Sequence, residues 1–177
     1  MKKILIYMLL AALALSGCGQ KQTAEKTTLQ ITVEGQTEEI PTAQYIGNGF
    51  SIDIPEEGWR LDERETDDGV QETVWESTVN DEVELYVLRY PVYPDATANE
   101  TKAHFARECG YVFEDLMGGD LGDPLTGMDE DGDFLGFMAA EGVKGVTYVV
   151  AWEYPKETAE GFGVRLPQIA NTFEVTK

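Results

Sequence analysis

The stretch Val83 to Tyr90, VELYVLRY, constrains the fold most, because it is short and apolar on both of its alternating faces. A strand of that kind belongs inside a sheet that is covered on both sides. The cover has to come from other elements, and the next segment supplies one. Thr97-Ala98-Asn99-Glu100 fits a capping box, Phe105 and Cys109 share one stripe, and Gly110 stands where a C′ glycine ends a helix. This predicts a helix over 98–109. Near the C-terminus, Phe162, Leu166, Ile169, Ala170 and Phe173 recur at helical spacing. Gly161, Gly163 and Pro167 weaken that pattern and predict a kinked or late-starting helix.

Between these, alternation marks strands. Leu29 to Val33 alternates briefly, and the polar stretch before Tyr45 carries no clear signal. Phe50, Ile52 and Ile54 alternate with Ser51 and Asp53 up to Pro55, and a turn through Gly58 leads to a strand over 59–64. Further strands are expected over 70–77 and, beyond the helix, over 111–116. Asp131-Gly132 is a type I′ hairpin signal, and the strands 134–140 and 146–154 are expected to pair across the turn 142–145. Strands, a helix, more antiparallel strands and a second helix make an α+β pattern with a mainly antiparallel sheet.

The segment Gly49-Phe50-Ser51-Ile52-Asp53-Ile54-Pro55-Glu56-Glu57-Gly58-Trp59 resembles the opening of PsbP-like and DcrB-like domains. The closing Ala170-Asn171-Thr172-Phe173-Glu174-Val175 is similar to the end of that group, where a helix runs into a phenylalanine and a last short strand. The resemblance spans roughly 45–177 and implies an α/β/α sandwich, an antiparallel sheet between helical layers. It implies no single activity: the group ranges from a photosystem II extrinsic subunit to bacterial lipoproteins and a GTPase-binding protein. No catalytic residue carries over from it.

The N-terminus has a different character. Lys2 and Lys3 precede an apolar run from Ile4 to Leu15, which is shorter than the roughly 20 residues of a spanning helix. Leu15-Ser16-Gly17-Cys18 then resembles the lipobox of bacterial lipoproteins at all four positions. The resemblance implies that residues 1–17 are a signal peptide, that Cys18 receives diacylglycerol, and that the new N-terminus is acylated. Residues 18–28 then form a polar tether and 29–177 one globular domain, its core roughly 45–177. The expected location is extracytoplasmic, on the cell membrane through that lipid, with no cofactor besides it and a monomeric state.

The chain carries 33 acidic against 13 basic residues, a net charge of −20. Such an excess excludes phosphate-backbone binding, and with it nucleic acid. It also opposes lying flat on an anionic leaflet. With Cys18 committed to lipid, Cys109 has no partner for a disulfide and is expected to be structural, since His104, the one histidine, is badly placed to activate it.

Three clusters could carry chemistry. Asp129, Asp131 and Asp133 place oxygens at alternate positions, as a calcium loop does. The register fails, however: counting from Asp129 puts Phe134 at the turn glycine and Ala140 at the bidentate glutamate, so a solvated hairpin tip is preferred to a calcium site. In Tyr90-Pro91-Val92-Tyr93-Pro94, the rings of Tyr90 and Tyr93 could face a peptide or glycan, or simply form a rigid connection packed on the sheet. Trp59, Trp75 and Trp152 are expected in the core. The expected function is a lipid-anchored, non-enzymatic binding or accessory module of the bacterial envelope, with some unknown envelope protein or ligand as its partner. The alternatives are an envelope hydrolase using paired carboxylates and a calcium-binding lipoprotein.

Overall fold

The computed structural model describes residues 26–65, 69–90, 97–113 and 124–177. The chain runs through β1 (Lys26–Val33), β2 (Gln36–Ile46), β3 (Phe50–Pro55), β4 (Trp59–Glu65), β5 (Gln71–Ser77), β6 (Glu84–Tyr90) and α1 (Ala98–Glu108). It continues through β7 (Leu125–Met128), β8 (Phe134–Glu141), β9 (Thr147–Tyr154), α2 (Ala159–Ala170) and β10 (Glu174–Val175). Every strand pair is antiparallel. The fold is α+β, as the order of elements in the sequence implies.

The strands divide into two sheets, one of four strands in the order β1-β2-β3-β10 and one of six in the order β4-β5-β6-β9-β8-β7. Strand β6 sits inside the larger sheet between β5 and β9. On one face Tyr86, Leu88 and Tyr90 pack with Val149, Ala151, Leu135 and Phe137 beneath Phe105 and Ala106 of α1. On the other, Leu85, Val87, Val150 and Trp152 pack against Leu166, Ile169 and Ala170 of α2 and against Ile31, Phe50, Ile52 and Ile54 of the small sheet. The two helices therefore cover opposite faces of the large sheet. The small sheet shares the second cover with α2.

Local chemistry explains the helix bounds. At the start of α1, the Thr97 hydroxyl accepts from the Glu100 N–H at 3.2 Å and the Glu100 carboxylate accepts from the Thr97 N–H at 2.8 Å. Those bonds hold the Glu100 carboxyl below its ordinary range. Gly110, at φ +82°, ends the helix in a left-handed conformation. Helix α2 begins after a 3₁₀ turn over Lys156–Thr158 and keeps Pro167 within it. Gly163 lets that helix lie on Tyr154, whose hydroxyl oxygen would be 2.9 Å from an added Cβ.

The β1–β2 hairpin extends the expected Leu29–Val33 strand at both sides. Strand β2 escapes a reading by alternation because only Thr42 in it is buried. Pro41 is tolerated there since β3 pairs with β2 only from Thr42 onward. Ile31, with 0% of its surface exposed, ties this hairpin to the main core. Replacing it with Ala removes buried methylenes and leaves a cavity, so Ile31→Ala is expected to cost about 2–5 kcal/mol in urea unfolding at unchanged slope. A loss below about 0.5 kcal/mol would show that β1 is an appendage rather than part of the core.

Candidate functional site

Cys18 and Tyr93 lie outside the described residues. Tyr90 is 6% exposed and meets His104 edge-on, with ring centroids 6.4 Å apart, so its faces are buried under α1. Trp75 and Trp152 are buried, and Trp59 lies partly buried against Phe162. Cys109 is partly buried, its Sγ 3.7 Å from the Ala106 carbonyl oxygen, and burial pushes its thiol up. That is the opposite of what a nucleophilic thiolate needs.

In the acidic hairpin, Oδ1 of Asp129 accepts from three backbone N–H groups, those of Asp131 at 3.0 Å, Gly132 at 2.8 Å and Asp133 at 2.9 Å. The oxygen thus closes the loop on itself. Among the described residues no group of three or more His, Cys, Asp or Glu gathers at metal-binding distance. Gly132 alone in this loop has positive φ, at +92°, so the turn is not type I′. Consecutive positive φ values, as a type I′ turn requires, occur instead at Glu34 (+49°) and Gly35 (+79°), between β1 and β2, and at Lys144 (+60°) and Gly145 (+76°), between β8 and β9.

Strand register assembles two groups that spacing in the sequence does not reveal. The first is a row across four strands on the α1 face, Arg60, Glu76, Glu84 and Glu153, each opposite the next. Three glutamates stand abreast there. Arg60 and Arg64 both bind Glu76, the second at 2.9 Å, and Tyr86 donates to Glu153 at 2.6 Å. Burial first, and the neighbouring Glu153 next, raise the Glu84 carboxyl above its ordinary value; burial also raises Glu72. Burial and Glu153 push the Tyr86 and Tyr111 phenols up as well.

The second group lines a pocket of about 330 Å³ where the β2–β3 turn meets β4, β5 and β6. Its floor is aromatic. Phe50 stacks on Phe173 at 5.5 Å and meets Tyr148 edge-on at 5.8 Å, with Tyr45 at 5.9 Å. The turn is held from both sides: the Tyr148 hydroxyl donates to the Asn48 carbonyl at 2.9 Å, and the Thr176 N–H to the Gly49 carbonyl at 2.9 Å. Gly49, at φ +83°, must be glycine for this approach, since a Cβ would fall on the Tyr148 hydroxyl.

On the wall of this pocket, Gln71 Oε1 accepts from Asn48 Nδ2 at 2.9 Å and from Arg89 Nη1 at 3.3 Å. Nε of Arg89 is buried and has no acceptor among the described residues. Arg60, Arg64 and Arg165 each bind a carboxylate, whereas none of the described carboxylates pairs with Arg89. The Glu63 carboxylate nearby accepts the Tyr45 hydroxyl at 2.5 Å; burial, and then that bond, raise the Tyr45 phenol to about 12. Arg89 was readable in the sequence only as the single cation of an apolar strand. Its partners, Gln71 and Asn48, come from other strands and a turn.

No family model and no curated protein sequence matches the chain. Among solved structures, a crystal structure from Bacteroides thetaiotaomicron VPI-5482 at 1.50 Å resolution is similar at 10% identity and a TM-score of 0.45. The likeness covers 76% of this chain and 48% of that one, so the chain spans about half its length. The solution structure of cyanobacterial PsbP (CyanoP) from Synechocystis sp. PCC 6803 is similar at 15% identity and a TM-score of 0.48, over 91% of this chain and 98% of that one.

The raised Glu84 carboxyl has a consequence for stability. A carboxyl whose folded value lies above the ordinary 4.5 holds its proton in the fold where the unfolded chain has released it. Stability therefore falls as pH rises from that ordinary value through the raised one. Glu84→Gln is expected to raise the melting temperature at about pH 7 and to change it little at about pH 4, where Glu84 is already neutral. An unchanged or lower melting temperature at neutral pH would contradict the account of Glu84 as a carboxylate held charged at a cost by burial and by Glu153.

Proposed function

We propose that this chain is a lipid-anchored, extracytoplasmic binding or accessory module of the bacterial envelope, non-enzymatic and monomeric, which takes its ligand in the Arg89 pocket. The location rests on the order of Lys2, Lys3, the apolar run and Leu15-Ser16-Gly17-Cys18. Two or three acyl chains on Cys18 hold a protein stably where one chain would not. An acidic domain at net charge −20 is repelled by an anionic leaflet, and the polar residues after Cys18 let it stand away.

The observation that carries the binding role is the pocket of about 330 Å³ in which Asn48, Gln71 and Arg89 converge beside Tyr45 and Phe50. Small-ligand sites have this composition, an apolar floor with a few convergent polar groups. A second reading, a hydrolase using paired carboxylates, is favoured by Glu84 beside Glu153. It requires the raised Glu84 to act as the acid and Glu153 as the base.

Cys18→Ala decides the anchor. The variant is expected to lose incorporation of labelled fatty acid and to leave the membrane fraction on washing. A variant that stays with the membrane unlabelled would contradict the lipid attachment.

A further inference from the structure

A groove of about 400 Å³ lies between α2, the β1–β2 hairpin, the β3–β4 turn and the β5–β6 loop, apart from the Arg89 pocket. Its walls are largely apolar, formed by Ile31, Ile40, Trp59, Val79, Phe162 and Ile169. Trp59 and Phe162 meet edge-on there, with ring centroids 6.5 Å apart. The mouth is held by hydrogen bonds. The Thr78 N–H donates to the Gly58 carbonyl at 2.8 Å and ties the loop to the turn. The buried Ser77 hydroxyl accepts from the Val79 and Asn80 N–H groups at 3.2 and 3.3 Å. Val79 is thereby presented at the rim, 82% exposed.

Charge narrows the kind of apolar molecule that fits. The ionic residues lining the groove are Glu38, Glu57 and Arg165, and Arg165 Nε donates to Glu38 at 3.0 Å. With that cation neutralised, Glu57 leaves the lining net negative, in a chain of net charge −20. A free fatty acid or an anionic phospholipid brings a further negative charge and is disfavoured. A hydrocarbon chain joined through a neutral amide or ester gains the same apolar contact without that repulsion.

The start of the domain lies beside this groove. Lys26, the first described residue, bonds Glu56 at 2.7 Å, between Pro55 and Glu57 of the groove wall. Three residues on, Leu29 pairs with Ile40. From Cys18 to Lys26 the chain spans at most about 27 Å when extended, and about 16 Å as a flexible coil. A lipid on Cys18 is therefore within reach.

We infer that the groove seats one acyl chain of the protein's own N-terminal lipid, the hydrocarbon lying along Ile40, Trp59 and Phe162 and covering Val79, with its amide or ester linkage at the mouth. The inference rests on the reading of Cys18 as the lipidated residue and adds that the domain docks on its own anchor. The seated chain is withdrawn from the bilayer, so membrane retention rests on the chains that remain.

The test is photocrosslinking of the full-length protein in washed membranes from cells grown on a diazirine-bearing fatty acid, followed by peptide mapping. Illumination should join the labelled Cys18 peptide to the peptides carrying Val79 or Phe162 within one chain. Ile40→Asp places a carboxylate on the groove wall and should abolish that crosslink. Val79→Asp, at a side chain already in water, should lower it about five-fold or more in a protein that still unfolds cooperatively, even if Ile40→Asp fails to fold.

Groove peptides joined to phospholipid or free fatty acid, or to the Cys18 peptide of a second copy, would overturn the assignment to the chain's own lipid. A yield indifferent to Val79→Asp would overturn the groove as the seat. Label on Cys18 with crosslinks confined to bilayer lipid sinks this inference and leaves the anchor standing, whereas a chain that takes up no label sinks both.

Discussion

The structure depends on burying strand β6 from both sides. Leu85 and Val87 on one face and Tyr86 and Leu88 on the other are all nearly removed from water. At about 1.5–3 kcal/mol for each fully buried apolar side chain, neither face could be left open in a protein of ordinary stability. Helix α1 closes one face, and α2 with the small sheet closes the other. The two charged residues of β6 lie where these covers end. Glu84, at the start of the strand, shares the α1 face with Tyr86 and Leu88; Arg89, near its end, shares the opposite face with Leu85 and Val87. The acidic row and the pocket are thus two outcomes of one covered strand running out of cover at opposite ends and on opposite faces.

What could be read from the chain was what local periodicity and end chemistry express. Strand β6, the capping box of α1 and the strand Phe50–Pro55 follow from short patterns. The β1–β2 hairpin does not, because most of its side chains face water and the pairing is held by the backbone and by isolated residues such as Ile31 and Thr42. The division into two sheets is also hidden. It arises because β3 pairs with β2 and β10 whereas β4, the next strand, pairs with β5, a change of partner that no local window contains. Turn type misled for a related reason: Asp131-Gly132 has the favoured dipeptide, but Asp129 Oδ1 folds that loop around three amides, while Glu34-Gly35 and Lys144-Gly145 take left-handed pairs.

The candidate sites show the same divide. Asp129, Asp131 and Asp133 are conspicuous in the sequence, yet Asp129 spends its oxygen on its own backbone. Tyr90 looks available between two apolar stretches and is buried. Arg89, Gln71 and Asn48 are unremarkable as letters and meet only because β5 and β6 share one register and the Gly47–Gly49 turn is held by Tyr148. A site made by register cannot be read from spacing. What remained legible was a single cation in an apolar strand, which marks a position where the fold tolerates a charge for some reason other than packing.

Amide hydrogen exchange along β6 tests the central claim most directly. The account predicts that the amides of Leu85 to Leu88 are among the slowest in the protein and exchange only through global unfolding. Exchange there as fast as in the exposed part of the β1–β2 hairpin would contradict it.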